Sequence, residues 1–115
     1  MRTEWQDPKT GLIWAVEPED RLYTYNEAMK KEWSNDWRVP TINELISLLD
    51  HNKSYPSCSA PLIFNKHHYW FWSVSPSVGY PTFALGVSFF YNGDVLSVSR
   101  VNNGCVRLVR GEMKE

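Results

Sequence analysis

A proline followed at once by a complete helix-start signal is the strongest constraint this chain carries. Pro40 cannot lie inside a helix, because its ring removes an amide donor and clashes with the preceding turn. Thr41 and Glu44 then have capping-box spacing, in which each side chain satisfies an orphan amide of the first turn. Ile42, Leu45, Ile46, Leu48 and Leu49 share one broad apolar face, so a helix is predicted from about Ile42 to Leu49. Thr24 and Glu27 form the same box upstream. Tyr25, Ala28, Met29 and Trp33 give that second helix one apolar stripe, and Lys30 and Lys31 sit late, where the helix dipole favours cations. The first half of the chain therefore holds two helices, separated by the polar turn Ser34-Asn35-Asp36.

The rest reads as strands and one long loop. Asp7-Pro8 and Thr10-Gly11 are turn signals, and Leu12 to Val16 follows as a short strand that Pro18 ends. Residues 50–68 form an irregular stretch with Pro56 and Pro61, and a loop of that length is usually functional or internally packed. Tyr69 to Ser75 is aromatic and β-prone. Phe83, Leu85, Val87 and Phe89 alternate as one buried face, so Phe90 should face away from Phe89. Asn92-Gly93 signals a hairpin, because a type I′ turn needs positive φ at both central positions. Val95 to Val101 returns, Asn102-Asn103-Gly104 turns again, and Cys105 to Arg110 closes a three-stranded antiparallel meander. Strand, helix, helix, loop and strands in that order predict an α+β fold in a single domain over residues 1–115.

Composition limits the function. A net charge of −1 argues against nucleic-acid binding through phosphate contacts and against a basic membrane-surface segment. No apolar run approaches the roughly eighteen residues a spanning helix needs. Residues 1–8 lack the apolar core of a signal peptide, so a cytoplasmic location is expected. Cys58 and Cys105 then read as free thiols, and no zinc-ligand spacing or other cofactor motif is present.

Four blocks resemble the Lcl C-terminal domain family: Thr10 to Trp14, Trp37 to Leu45, Tyr69 to Ser73 and Val106 to Gly111. They fall in the family's order, and the Trp37-Arg38-Val39-Pro40-Thr41 block with Glu44-Leu45 is the most specific. The resemblance implies a C-type-lectin-like fold: two helices packed on a small antiparallel sheet, N- and C-terminal strands paired, and a long loop region. Leu12 to Val16 would then lie against Val106 to Arg110. Family members often carry a cysteine on the first helix and another in the last strand. The equivalent positions here are Met29 and Leu108, which fits a reducing compartment.

Within that frame Trp14, Trp37, Arg38, Pro40 and Glu44 are read as a structural motif. Trp37 buries, Arg38 holds carbonyls or a carboxylate, and Pro40-Thr41 starts the helix. Arg107 and Arg110 are read as surface or sheet-edge charges. The aromatic surplus, 15% of all residues, exceeds what one small core needs. Tyr69, Trp70, Trp72, Tyr80, Phe90, Tyr91, Asn92, Asn102 and Asn103 are the candidate partner-binding residues, because exposed aromatics among Asn and Ser suit protein recognition. The function expected is a non-catalytic module that binds a protein, as an adaptor or a phage-type inhibitor of a host protein. The alternative is carbohydrate binding with aromatics stacked on sugar rings. Calcium is not expected in it, since the Glu-Pro-Asn and Gln-Pro-Asp tripeptides are absent and Trp33-Ser34-Asn35-Asp36 sits between the helices. The remaining alternative is a small Cys/His enzyme using Cys58 or a histidine, with His51 and the adjacent His67 and His68 the histidines available.

Overall fold

The computed structural model describes residues 3–54, 56–64, 70–90 and 93–114. Its elements, in order, are β1 (Glu4–Gln6), β2 (Ile13–Ala15), α1 (Tyr25–Lys30), α2 (Ile42–Ile46), β3 (Trp70–Pro76), β4 (Phe83–Ser88), β5 (Asp94–Ser99) and β6 (Val109–Arg110). Both capping boxes are made reciprocally. Glu27 and Glu44 donate their amides to Thr24 and Thr41 and accept the threonine amides in return. The helices nevertheless stop early, at six and five residues. A helix so short has little stability of its own and is held by its packing.

The strands form two antiparallel three-stranded sheets, ordered β1-β2-β6 and β3-β4-β5. This mostly β architecture corrects the α+β, lectin-like expectation. The helical signals are real, but each yields fewer than two turns, and strands supply the bulk of the regular structure. A second correction concerns the meander. It is made by β3, β4 and β5, and the last strand leaves it to join β2, with Ile13 opposite Arg110 and Trp14 opposite Val109. Strand 12–16 thus does lie against segment 106–110, with the Ala15 amide donating to the Leu108 carbonyl at 3.0 Å.

Segment 104–110 joins the two sheets. Gly104 bridges Tyr23, Cys105 bridges Phe71 in parallel on the outer side of β3, and Val109 bridges Arg38. Gly104 also lies against the Trp70 ring, where a Cβ would collide. Alternate residues of the β3-β4-β5 sheet enter two cores. Phe71 and Val87 join Leu12, Trp14, Leu45 and Leu48 on one side. Trp72 and Ala84 join Tyr23, Tyr25, Ala28 and Trp37 on the other, with Met29 packed against Leu108's cluster. The sheet is therefore covered on both faces, which corrects the single buried face expected of residues 83–89. Ala84 and Gly86 are as buried as Val87, because α1 and α2 lie on opposite sides.

Candidate functional site

The Trp37–Leu45 block works as one structural unit. The Arg38 backbone exchanges hydrogen bonds of 2.9 Å with Val109 in both directions. That places its guanidinium over the start of α2, where it grips Glu44 with two parallel bonds of 2.7 and 2.6 Å. A third Arg38 bond reaches the Gly111 carbonyl at 2.8 Å. Burial alone would push the Glu44 carboxyl up. The Arg38 hydrogen bonds and the Thr41 amide outweigh it and hold Glu44 below its ordinary value. The Arg38 guanidinium is raised in turn, first by its bond to Glu44. Trp37 and Val39 fill the second core, Pro40 is fully buried, and Leu45 enters the first. Trp14 is fully buried too, and its indole N–H finds no acceptor among the described residues.

Arg107 departs from the surface or edge role expected of it: only 1% of it is exposed. It donates to the carbonyls of Ala15 at 3.1 Å, Val16 at 2.6 Å and Ile63. Its guanidinium stacks between Phe64 and Phe71, with ring centroids at 4.7 and 5.0 Å. Among the described residues no carboxylate is bonded to it, and burial lowers its pKa to about 10, still cationic at neutral pH. Alternation could not reveal this, because a planar fork of donors can be buried wherever carbonyls converge. Arg110, by contrast, is half-buried and pairs with Glu4 at 2.7 Å. The thiols of Cys58 and Cys105 are not disulfide-bonded and are buried beside Arg107. Burial raises Cys58, and pushes Cys105 up to about 12, despite the nearby guanidinium. A thiol nucleophile needs the opposite environment.

One end of the β3-β4-β5 sheet is built of two turns. In the first, Tyr80 donates its amide to Ser77 and Phe83 donates to Tyr80, with Gly79 at φ +82°. In the second, Asn102 donates to Ser99 at 3.0 Å. The Arg100 amide donates to Thr82 at 2.9 Å, and the Arg100 Nε to Phe83, which clamp the turns together. The tips carry Val78, Tyr80 and Val101, exposed at 91%, 64% and 79%, with Asn102 and Asn103 beside them. No charged side chain lies between residues 77 and 82 or between 101 and 104.

The model of the Lcl C-terminal domain matches residues 4–110. The chain belongs to that family. No curated protein and no solved structure matches it.

In this Lcl domain the candidate surface residues scatter. Trp72 is fully buried and donates its indole N–H to the Tyr23 carbonyl at 2.8 Å, so its partner-binding role is corrected. Trp70 and Phe90 are half-buried, and Trp70 packs edge-on against Trp72 at 4.9 Å. Tyr69, Tyr91, Asn92, His67 and His68 lie outside the described residues. Tyr80, Asn102 and Asn103 are brought together at the sheet end. Val78 and Val101 were missed, although an apolar residue in a Gly-Pro turn and another beside Asn-Asn-Gly were visible signals.

A cleft of about 550 Å³ lies elsewhere on the Lcl domain, bounded by the β1–β2 turn, the end of α2 and residues 59–61. Trp5, Asp7, Lys9, Asp50, His51 and Asn52 are among the residues that line it. Asn35 and Asp36 occupy consecutive left-handed positions, at φ 57° and 65°, as a turn between α1 and α2. Among the described residues no group of three or more His, Cys, Asp and Glu is placed to hold a metal ion. No described helix is long and apolar enough to cross a membrane.

Proposed function

We propose that this Lcl domain is a non-catalytic binding module that recognises a protein through the uncharged sheet end formed by Val78, Tyr80, Val101, Asn102 and Asn103. The observation that carries the reading is the clustering of three exposed, large apolar side chains on two turns fastened by the Arg100–Thr82 bond. Exposed apolar residues scattered singly mean little, but a contiguous patch on a fixed frame is the composition of an interface core. The amides of Asn102 and Asn103 add adaptable donors and acceptors at its rim. The frame is held by backbone bonds, so little ordering is needed on binding.

The test is affinity capture from the native host with tagged wild-type protein and a Tyr80→Ala/Val101→Ser variant, both read by mass spectrometry. A stoichiometric protein held by the wild type and lost by the equally stable variant supports the reading. A protein held equally by both places recognition elsewhere on the domain. A second reading, a saccharide-binding module, rests on the 550 Å³ cleft with Trp5 beside Asp7, Asp50 and Asn52. An aromatic face with nearby hydroxyl acceptors is suitable for a sugar ring, and the volume is in the ligand range of about 300–1,000 Å³. Glycan-array binding that Trp5→Ala abolishes would favour this reading instead.

A further inference from the structure

Strand β5 is an open sheet edge. Among the described residues the order β3-β4-β5 gives it a neighbour on one side only, while the opposite edge of the sheet is covered where Cys105 bridges Phe71. Edge strands are normally protected by lysine, proline or a bulge. The sequence Asp94-Val95-Leu96-Ser97-Val98-Ser99 contains neither residue, and its register with β4 runs unbroken from Ser88–Asp94 to Phe83–Ser99. Val95 is 48% exposed, and Asp94 and Ser97 are exposed as well.

The ladder settles which backbone groups face outward. Arg100 donates its amide to Thr82, so residues 100, 98, 96 and 94 turn their backbone groups toward β4. Val95, Ser97 and Ser99 therefore turn theirs away from the sheet. The two ends of the strand carry opposite charges that have no ion-pair partner among the described residues. Among the described residues the Asp94 side chain makes no hydrogen bond, and the Arg100 side chain donates from Nε to the Phe83 carbonyl, with its guanidinium 4.6 Å from the Tyr25 ring centroid.

We propose that β5 pairs antiparallel with the β5 strand of a second copy of this chain, about a two-fold axis at Ser97. The strand is its own complement in one register. With Ser97 opposite Ser97, Asp94 of each copy meets Arg100 of the other, Leu96 meets Val98, and Val95 meets Ser99. The outward amides of Ser97 and Ser99 then donate to the Ser97 and Val95 carbonyls of the other copy, while the Ser99 carbonyl keeps the Asn102 amide of its own turn. A shift of two residues either way sets Asp94 against Val98 or Arg100 against Leu96, which leaves both charges unmatched. The result is one continuous sheet across both copies, with an isologous interface. The proposal uses the strand edge and not the tips at Val78 and Tyr80, so it stands apart from the protein-recognition reading.

Sedimentation equilibrium of the full chain, from micromolar to millimolar concentration, is the first test. A reversible dimer is expected. Asp94→Arg should weaken it about tenfold, by setting like charges together. The Asp94→Arg/Arg100→Asp double variant should regain it. Ser97→Pro removes an outward N–H that β4 does not use, so it should yield a folded monomer, with thermal melts confirming the fold. Register is read by cross-linking. Cα atoms of a hydrogen-bonded antiparallel pair lie about 5.5 Å apart, inside the disulfide range. Ser97→Cys should therefore cross-link to itself under mild oxidant, and Val95→Cys should not. A chain that stays monomeric throughout overturns the proposal. So does a dimer that Ser97→Pro leaves intact, or one that cross-links through Val95→Cys and not through Ser97→Cys.

Discussion

Arg107 shows what one side chain can hold together. Its three carbonyl acceptors belong to the end of β2 and to residue 63, so it ties the irregular segment 56–64 to the terminal sheet. The Ile63 amide, donating to Val16 at 2.9 Å, reinforces the same junction. Replacing Arg107 with Ala would take a charged donor from each of those carbonyls and open a void between Phe64 and Phe71. The expected loss is about 3 kcal/mol or more, measured by urea unfolding. Arg107→Lys should recover only part of it, because an ammonium cannot reach three acceptors in the plane of a guanidinium fork. Trp14 presents the reverse case. Its buried N–H has no partner among the described residues, and its ring contributes bulk to the first core.

The α2 element depends on Glu44, which serves both the capping box and Arg38. Two roles converge on one carboxylate because Pro40 fixes the helix start and β6 fixes Arg38. The pH dependence follows from the direction of its shift. Glu44 titrates lower in the folded chain than in the unfolded one. Its stabilisation is therefore present above the ordinary glutamate value, and it is lost as pH falls through the lower folded value. Glu44→Gln should cost about 2 kcal/mol at neutral pH and flatten the acid limb of the stability curve. A wild-type acid limb retained in that variant would show that another carboxylate governs it. The sequence motif was legible here as a cap. Its second function was not, since it required a residue from the far end of the chain to come within bonding distance.

Across the whole molecule, the β3-β4-β5 sheet divides the interior, and this decides which aromatics are available to a partner. Trp72→Ala should cost about 3–5 kcal/mol, because it opens a large void in the second core and takes from the Tyr23 carbonyl one of its two donors, the Gly104 amide being the other. Tyr80→Ala should stay within about 0.5 kcal/mol of wild type. Thermal melts of the two variants side by side check that contrast. Aromatic content pointed to a surplus, but with two cores instead of one, the surplus is largely used inside. Tyr25 and Tyr23 meet Trp72 and Trp33, and Phe64 and Phe71 meet Phe89, in edge-on or tilted pairs.

Local chemistry determined the helix starts, the turn positions and the strand-forming segments, because capping, proline and alternation act within a few residues. Family membership too was legible, in the block from Trp37 to Leu45. The tertiary structure decided the rest. It set the short length of the helices, the departure of β6 from the meander to join β2, the burial of Trp72 and Arg107, and the placing of Val78, Tyr80 and Val101 on adjoining turns at one sheet end. Each of these depends on contacts between residues far apart in the chain, where a side chain's fate follows from what arrives opposite it and not from its neighbours in sequence.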